Sequence, residues 1–435
     1  METIDSIPIS KIQRASKILQ TGAKVGANYL KYYGDKVISG SESAKEKLDE
    51  ANAEDVYDGL KKLKGSALKV AQMLSMEKNI VPEAFSEKFS LSQFSVPPLS
   101  PPLVTKTFKN SFGKAPHEIF ERFDTRASNA ASIGQVHRAG INGTKYAVKI
   151  QYPGVAESIS SDLALVKPVA MKMFNIKGEG SDKYFKEVED KLIEETNYLN
   201  EIKESIYLSE QCAHLPNLRF PKYYPEFSSE RIITMDWMEG IHLSEFIEGK
   251  PDKETANKIG QTLWDFYMYQ IHTLKKVHAD PHPGNFLVND ADELVVLDFG
   301  CIKEIPEDFY VPYFELSKAE NLDNHKRFVE LMHEVEIITA DDSEQHQKVI
   351  VDMFHQILTH FSQPMREAYF DFSRPEFIEK FAGLGTEYAK VLDKMKINSN
   401  RGSRHFIYMN RTFFGLYNLL NMLGANKVRI SALPA

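Results

Sequence analysis

Two cysteines in 435 residues, Cys212 and Cys301, are too few for a disulfide framework or a cysteine metal site, and they suit a reducing compartment. No apolar run reaches the roughly 18 to 20 residues that a membrane span requires, and no signal-peptide core opens the chain. Positive charge is short as well. Lys and Arg number 53 against 61 Asp and Glu, a net charge of -8, which denies nucleic acid the basic field it needs. Repeats and low-complexity segments are absent. The expectation is a cytoplasmic chain, soluble or peripheral on the inner face of a membrane. With 42% hydrophobic and 26% charged residues, it can bury a core of one large or two ordinary domains.

What is present begins with a helical pattern over residues 10 to 36. Ile12, Leu19, Ala23, Gly26 and Leu30 lie near one face, with Lys11, Arg14, Lys17, Lys24 and Lys31 around them. Such a helix either packs on its own domain or lies on an anionic membrane surface. Ser41 to Glu54 reads as a polar linker. From about Asp55, Leu60, Leu63, Ala67, Val70 and Leu74 keep helical spacing, with Lys69 and Gln72 on another face. Prolines 97, 98, 101 and 102 then mark a loop before a helix near Leu103 to Phe112. Residues 118 to 152 read as strands turning at Asn142-Gly143, with Lys149 facing away from Tyr146, Val148 and Ile150. Helices are expected over Val155 to Phe174 and Tyr184 to Glu210. The second carries a stripe of Phe185, Val188, Leu192, Leu199 and Ile202. A strand over Arg231 to Met235 follows, and from Pro306 the pattern is helical to near Val428.

The densest chemistry lies in His278-Ala279-Asp280-Pro281-His282-Pro283-Gly284-Asn285, followed thirteen residues after Asn285 by Asp298-Phe299-Gly300. A hairpin-like run, Phe286 to Val288 and Leu294 to Leu297, joins them. A phosphoryl group in transfer needs positioning and charge neutralisation more than covalent help. Asn285 and Asp298 are hard oxygen ligands suited to Mg2+, and Asp280 would orient or deprotonate an acceptor, as in kinase active sites. Lys149 sits mid-strand, where an ammonium is costly unless an anion meets it; phosphate oxygens and a helix glutamate would do so. The loop from Ser128 to Val136 has alanine where phosphate-cradling loops use glycine, and a Cβ restricts the backbone. His278 and His282 flank Asp280 as loop scaffolding, and Cys301 reads as a packing residue.

Together these motifs resemble the UbiB/COQ8/ABC1 (AarF/ADCK) family of atypical kinases, from about Leu60 to Val428. The carriers are Lys69-Val70-Ala71-Gln72, Asn129-Ala130-Ala131-Ser132, Ala147 to Val155 and His278 to Asn285. The resemblance implies an α+β, two-lobed protein-kinase-like fold. Residues 1-54 would form a basic helix and linker, 55-117 a helical extension, 118-238 a small β-rich lobe and 239-435 a large helical lobe. It also implies a Mg2+-dependent site for ATP or ADP. Lys149 would contact the α/β-phosphates and pair with Glu201, while Asn129, Ala130, Ala131 and Ser132 form the lid. Met235 would be the gatekeeper, with Asp236 and Met238 offering backbone contacts to adenine. Lys69, Gln72 and Glu195, the first acid of an E-x-D motif, would belong to an extension covering the site where a protein substrate would dock.

Three positions depart from the family pattern. Ala71 stands for glycine in K-x-G-Q, Asn129 for the first alanine of the loop, and Asn197 for the second acid of E-x-D. The last weakens an ion pair with Lys69, for which Glu194 is a substitute partner. Asn129 tolerates left-handed backbone. The family association is with quinone or isoprenoid-lipid metabolism at membranes, which makes a lipid or quinone precursor the expected partner. Two other functions fit the same motifs: a lipid or phenol phosphotransferase, and a low-turnover nucleotide-gated binding or chaperone-like protein.

Overall fold

The computed structural model describes residues 16, 20–29, 31–32, 41–63, 98–130, 133–173, 180–395, 397 and 401–430. Two compact units share the chain: Met1–Lys203 with Lys222–Trp237, and Glu204–Pro221 with Met238–Ala435.

The first unit contains helix α1 (Ser41–Leu63), so the segment read as a linker is helical. Charge alone does not prevent a helix when its polar groups find partners. Here Lys24 Nζ meets Asp55 at 3.0 Å, and Asn28 Nδ2 donates to Asn52 and Asp55. The donors lie in residues 20–29, themselves helical. Lys69, Gln72 and the stripe beyond Leu63 lie outside the described residues, as do Ala131 and Ser132.

Helix α2 (Pro101–Phe112) starts on its prolines, whose missing N–H is no loss in a first helical turn. An antiparallel sheet follows, built from β1 (Arg122–Phe123), β2 (Asn129–Ala130), β3 (Gly134–Ile141) and β4 (Thr144–Gln151). The β3–β4 turn places Asn142 at φ 51° and Gly143 at φ 80°, the left-handed pair that a tight hairpin requires. Strand β4 is buried on both faces from Tyr146 onward, so alternation separates its faces without telling which is wet. Under the Tyr146 face lie Phe120 and Phe227, within 6.2 Å ring to ring.

Helices α3 (Val155–Met173), α4 (Gly180–Glu195) and α5 (Tyr198–Cys212) come next. The single helix expected over Tyr184 to Glu210 is thus two. At the break, Asn197 Oδ1 accepts the Asn200 N–H at 3.2 Å and caps α5. The break resets the helical phase, which is why Leu199, expected in the apolar stripe, is 48% exposed. Strand β5 (Leu218–Arg219) belongs to the second unit, and β6 (Ile232–Asp236) completes the first sheet beside β4.

The second unit holds a four-stranded sheet in the order β5-β10-β9-β7, with β7 (Ile241–His242), β9 (Phe286–Val288) and β10 (Leu294–Val296). Strands β8 (Lys276–His278) and β11 (Ile302–Glu304) form a separate antiparallel pair. Its helices include α6 (Lys253–Tyr269), α7 (Glu307–Leu316), α8 (Glu344–Phe361), α9 (Pro375–Met395) and α10 (Arg404–Met422). Aromatic and aliphatic side chains from these helices make the core. The C-terminal helix stops at Met422. Val428 lies instead in β13 (Val428–Arg429), paired with β12 (Tyr369–Phe370), because Gly424 turns left-handed at φ 67°.

Candidate functional site

In the first unit the decisive feature is an ion pair. Lys149 Nζ lies 2.7 Å from Glu201 Oε1, with side chains 11% and 7% exposed. Lys149 stands in β4 opposite Ile233 of β6, and its ammonium lies 5.2 Å from the centroid of the Tyr198 ring. A second tie keeps the partners in place. Gln151, two residues beyond Lys149, donates from Nε2 to the Thr196 carbonyl at 3.0 Å, at the break just before α5. The strand and the helix carrying the two charges are therefore joined twice.

Around this pair the expected ring-binding residues take definite places. Met235 is buried in β6 opposite Ala147, two residues along β4 from Lys149. The Asp236 carboxylate accepts the Lys222 N–H at 3.0 Å and the Tyr224 hydroxyl at 2.9 Å. Burial and that acceptor push the Tyr224 phenol up to about 12. The Asp236 N–H donates to the Lys222 carbonyl at 2.9 Å, so both its side chain and its backbone N–H are engaged in the fold. Met238, half-buried, falls in the second unit. Asn129 is not left-handed. It is extended and pairs with Val136, with Ala130 opposite Gln135. Glu195 is buried at the end of α4.

Sequence reasoning missed a buried polar chain in this unit. Gln135 Oε1 accepts the Leu99 N–H at 2.6 Å, its Nε2 meets His137 Nε2 at 2.7 Å, and His137 Nδ1 meets the Asp124 carbonyl at 2.8 Å. The bonds fit one neutral tautomer, with the proton on Nδ1. Burial holds the His137 pKa below its ordinary value.

The second unit gathers the acids and the amide. Ala279 N–H bonds the Cys301 carbonyl at 2.8 Å, and Leu297 N–H bonds the Asn285 carbonyl at 2.9 Å. Asp280 therefore leaves the β8–β11 ladder next to the Asp298-Phe299-Gly300 turn, while Asn285 is tied one residue short of Asp298. Within the loop, the Asp280 carbonyl accepts the His282 N–H at 2.8 Å and Asn285 Nδ2 at 2.9 Å. With Nδ2 on that carbonyl, the amide oxygen of Asn285 remains its ligating end. Asp298 Oδ1 accepts the Gly300 N–H at 2.7 Å. His282 Nδ1 accepts from Gly284 N–H and His278 is buried beside Phe299, so both histidines scaffold the loop. Cys301 is buried, and burial raises the Cys212 thiol to about 12.

Sequence reasoning missed a second residue here. Arg411 of α10 places Nη2 3.2 Å from Asp280 Oδ1, both side chains about one-fifth exposed (20% and 21%). Arg411 stands between the polar Asn410 and Thr412, so nothing local singled it out.

Two hard oxygen donors, Asn285 and Asp298, fit Mg2+, which keeps few protein ligands and takes water and phosphate for the rest. No cluster of three or more His, Cys, Asp or Glu able to hold a metal occurs among the described residues. No helix among the described residues is long and apolar enough to cross a membrane.

Residues 91–332, more than half of the chain, match the model of the ABC1 atypical kinase-like domain. The chain belongs to the ABC1 atypical kinase-like family. Its α+β, kinase-like fold and its place among atypical kinase-type enzymes follow from that membership. It is similar to the mitochondrial atypical kinase COQ8 of Saccharomyces cerevisiae, 29% identical over 87% of this chain and 76% of that protein. It also resembles the AarF domain-containing protein kinase 1 of Xenopus laevis, 30% identical over 59% of this chain and 51% of that one. A third relative is the mitochondrial atypical kinase COQ8B of Danio rerio, at 28% over 70% and 49%. The chain thus spans about half the length of the last two relatives. Among solved structures, Rv3197 of Mycobacterium tuberculosis, determined with erythromycin, shares the fold. Its TM-score is 0.59 at 24% identity, covering 90% of this chain and 97% of that one.

Proposed function

We propose that this chain is a Mg2+-dependent, ATP-binding atypical kinase or ATPase that works at a membrane surface in quinone or isoprenoid-lipid metabolism. One observation carries the reading: a lysine ammonium is held in a mostly buried ion pair with a helix glutamate, at 2.7 Å. A strand lysine with no anion to serve would sit in water at less cost. Here Lys149 would meet the α/β-phosphates, with Glu201 fixing its position. Asn285 and Asp298 would hold Mg2+, whose charge neutralises the phosphates, and Met235, Asp236 and Met238 would border the adenine. Asn129, Ala130, Ala131 and Ser132 would form the lid, and Lys69, Gln72 and Glu195 the covering extension.

In the reaction the acceptor oxygen bonds to the γ-phosphorus as the bond to the β–γ bridging oxygen breaks. ADP leaves with that electron pair, and the acceptor proton passes to Asp280. The acceptor is water in the ATPase and a lipid or phenol hydroxyl in the kinase. The membrane and quinone part of the reading rests on the family resemblance. Asp298→Asn is expected to abolish Mg2+-dependent ATP binding and hydrolysis, read by titration calorimetry and phosphate release with and without liposomes and a phenolic quinone precursor. Unchanged binding and hydrolysis would overturn it.

A further inference from the structure

We propose that Arg411 is the positioning residue of the Asp280 carboxylate, an assignment that rests on the kinase-type reading of this loop. Here the backbone at Asp280 is already fixed, since its carbonyl takes two hydrogen bonds, from His282 N–H and Asn285 Nδ2. At the carboxylate itself, Arg411 Nη2 meets Oδ1 at 3.2 Å.

The arginine comes from a rigid support. Phe413, Leu416 and Tyr417 sink α10 into the core, each at most 1% exposed. One turn beyond Arg411, Gly415 faces the loop residue that follows Asp280. A Cβ built on Gly415 would lie 2.4 Å from Pro281 Cγ and 3.2 Å from its carbonyl oxygen. Only glycine admits that approach, so helix and loop are seated against each other where the ion pair forms. A carboxylate beside an incoming polyphosphate is also repelled by it, and the guanidinium offsets that repulsion. The aimed Asp280 then accepts the proton of the attacking hydroxyl as the oxygen–phosphorus bond forms and ADP departs.

The experiment uses the full chain and separates binding from turnover. Arg411→Gln is expected to lower kcat about 100-fold, the scale of a misplaced catalytic group, while KM and the nucleotide Kd move less than about threefold. Arg411→Lys keeps the charge without the planar fork and should recover part of kcat at an unchanged melting temperature. Gly415→Ala should lower kcat by pushing Pro281, again with nucleotide affinity kept. Wild-type kcat in Arg411→Gln would overturn the assignment while leaving the kinase reading intact. If that variant does not fold, Arg411→Lys decides: an intermediate kcat supports the role and a wild-type kcat ends it. An unaltered chain that neither binds nor hydrolyses Mg2+·ATP would overturn the functional reading and this role with it.

Discussion

The two units surround their site residues differently. In the first, Gln135, His137, Gln151 and Thr234 are at most 1% exposed, beside a Lys149–Glu201 pair whose side chains are 11% and 7% exposed. In the second, the rings of Trp264, Phe361, Phe372, Phe413 and Tyr417 pack against one another, mostly tilted or edge-on, with centroids 5.3 to 6.5 Å apart. Aromatic packing gives stability from buried area. Buried polar chains give direction, and fail as a unit when one member goes. The first unit thus holds a charge at a defined point, at some cost in stability. The second supplies a firm base on which loops carry Asp280, Asn285 and Asp298.

This contrast can be broken most directly at Glu201. Glu201→Leu would leave a buried ammonium without its carboxylate and should cost the first unit about 3 to 5 kcal/mol. Lys149→Met added to it should recover most of the loss. The chain's two tryptophans fall one to a unit, Trp237 in the first and Trp264 in the second, so single-tryptophan variants report each unfolding step. A loss below about 1 kcal/mol would mean the pair behaves like an exposed one.

A comparable but smaller effect is expected in the second unit from pH. His272 is buried with Nδ1 2.7 Å from the Tyr310 hydroxyl, and burial, helped by the Lys275 charge, lowers its pKa to about 4. Unfolded histidine titrates near 6.5, so below that pH the unfolded chain binds the extra proton and stability falls. The contribution is whole above about pH 6.5 and is lost progressively toward pH 4, about 3 kcal/mol in all. His272→Phe should flatten that slope in the Trp264 signal. An unchanged slope would assign the acid sensitivity elsewhere.

How much of this was legible in the sequence follows the range of the interactions. Asp280, Asn285 and Asp298 flank the short β9–β10 hairpin, and local backbone bonds hold them near one another, so their proximity was legible from spacing. The Asn142-Gly143 turn was legible for the same reason. Glu201 came from the family pattern, because nothing local says which turn of a helix faces a strand 52 residues earlier. The break at Asn197 was hidden because apolar spacing runs on across it, and only the Asn197 cap marks a new helix. The first part of α1, Ser41 to Glu54, was hidden by its polar composition, and the partners of its polar side chains and of Asp55 lie 24 to 31 residues away. Arg411 stands 131 residues from Asp280. No periodicity reports a contact of that kind.

The smallest expected effect sharpens the comparison further. Gln135→Leu would leave the Leu99 N–H and His137 Nε2 without the amide that joins them, in a place where Gln135 itself is fully buried. Each orphaned polar group costs about 1 to 3 kcal/mol, partly offset by the apolar side chain that replaces the amide. The net loss should fall at the lower end of that range and appear in the Trp237 signal alone. His137→Phe combined with Gln135→Leu removes two of the partners at once and should restore part of the stability, as apolar replacement of a whole pair tends to do. A single variant as stable as the parent would show that this chain gives no direction to the loop bearing Asn129 and Ala130. The contrast between a directional first unit and a massive second one would then rest on Lys149 and Glu201 alone.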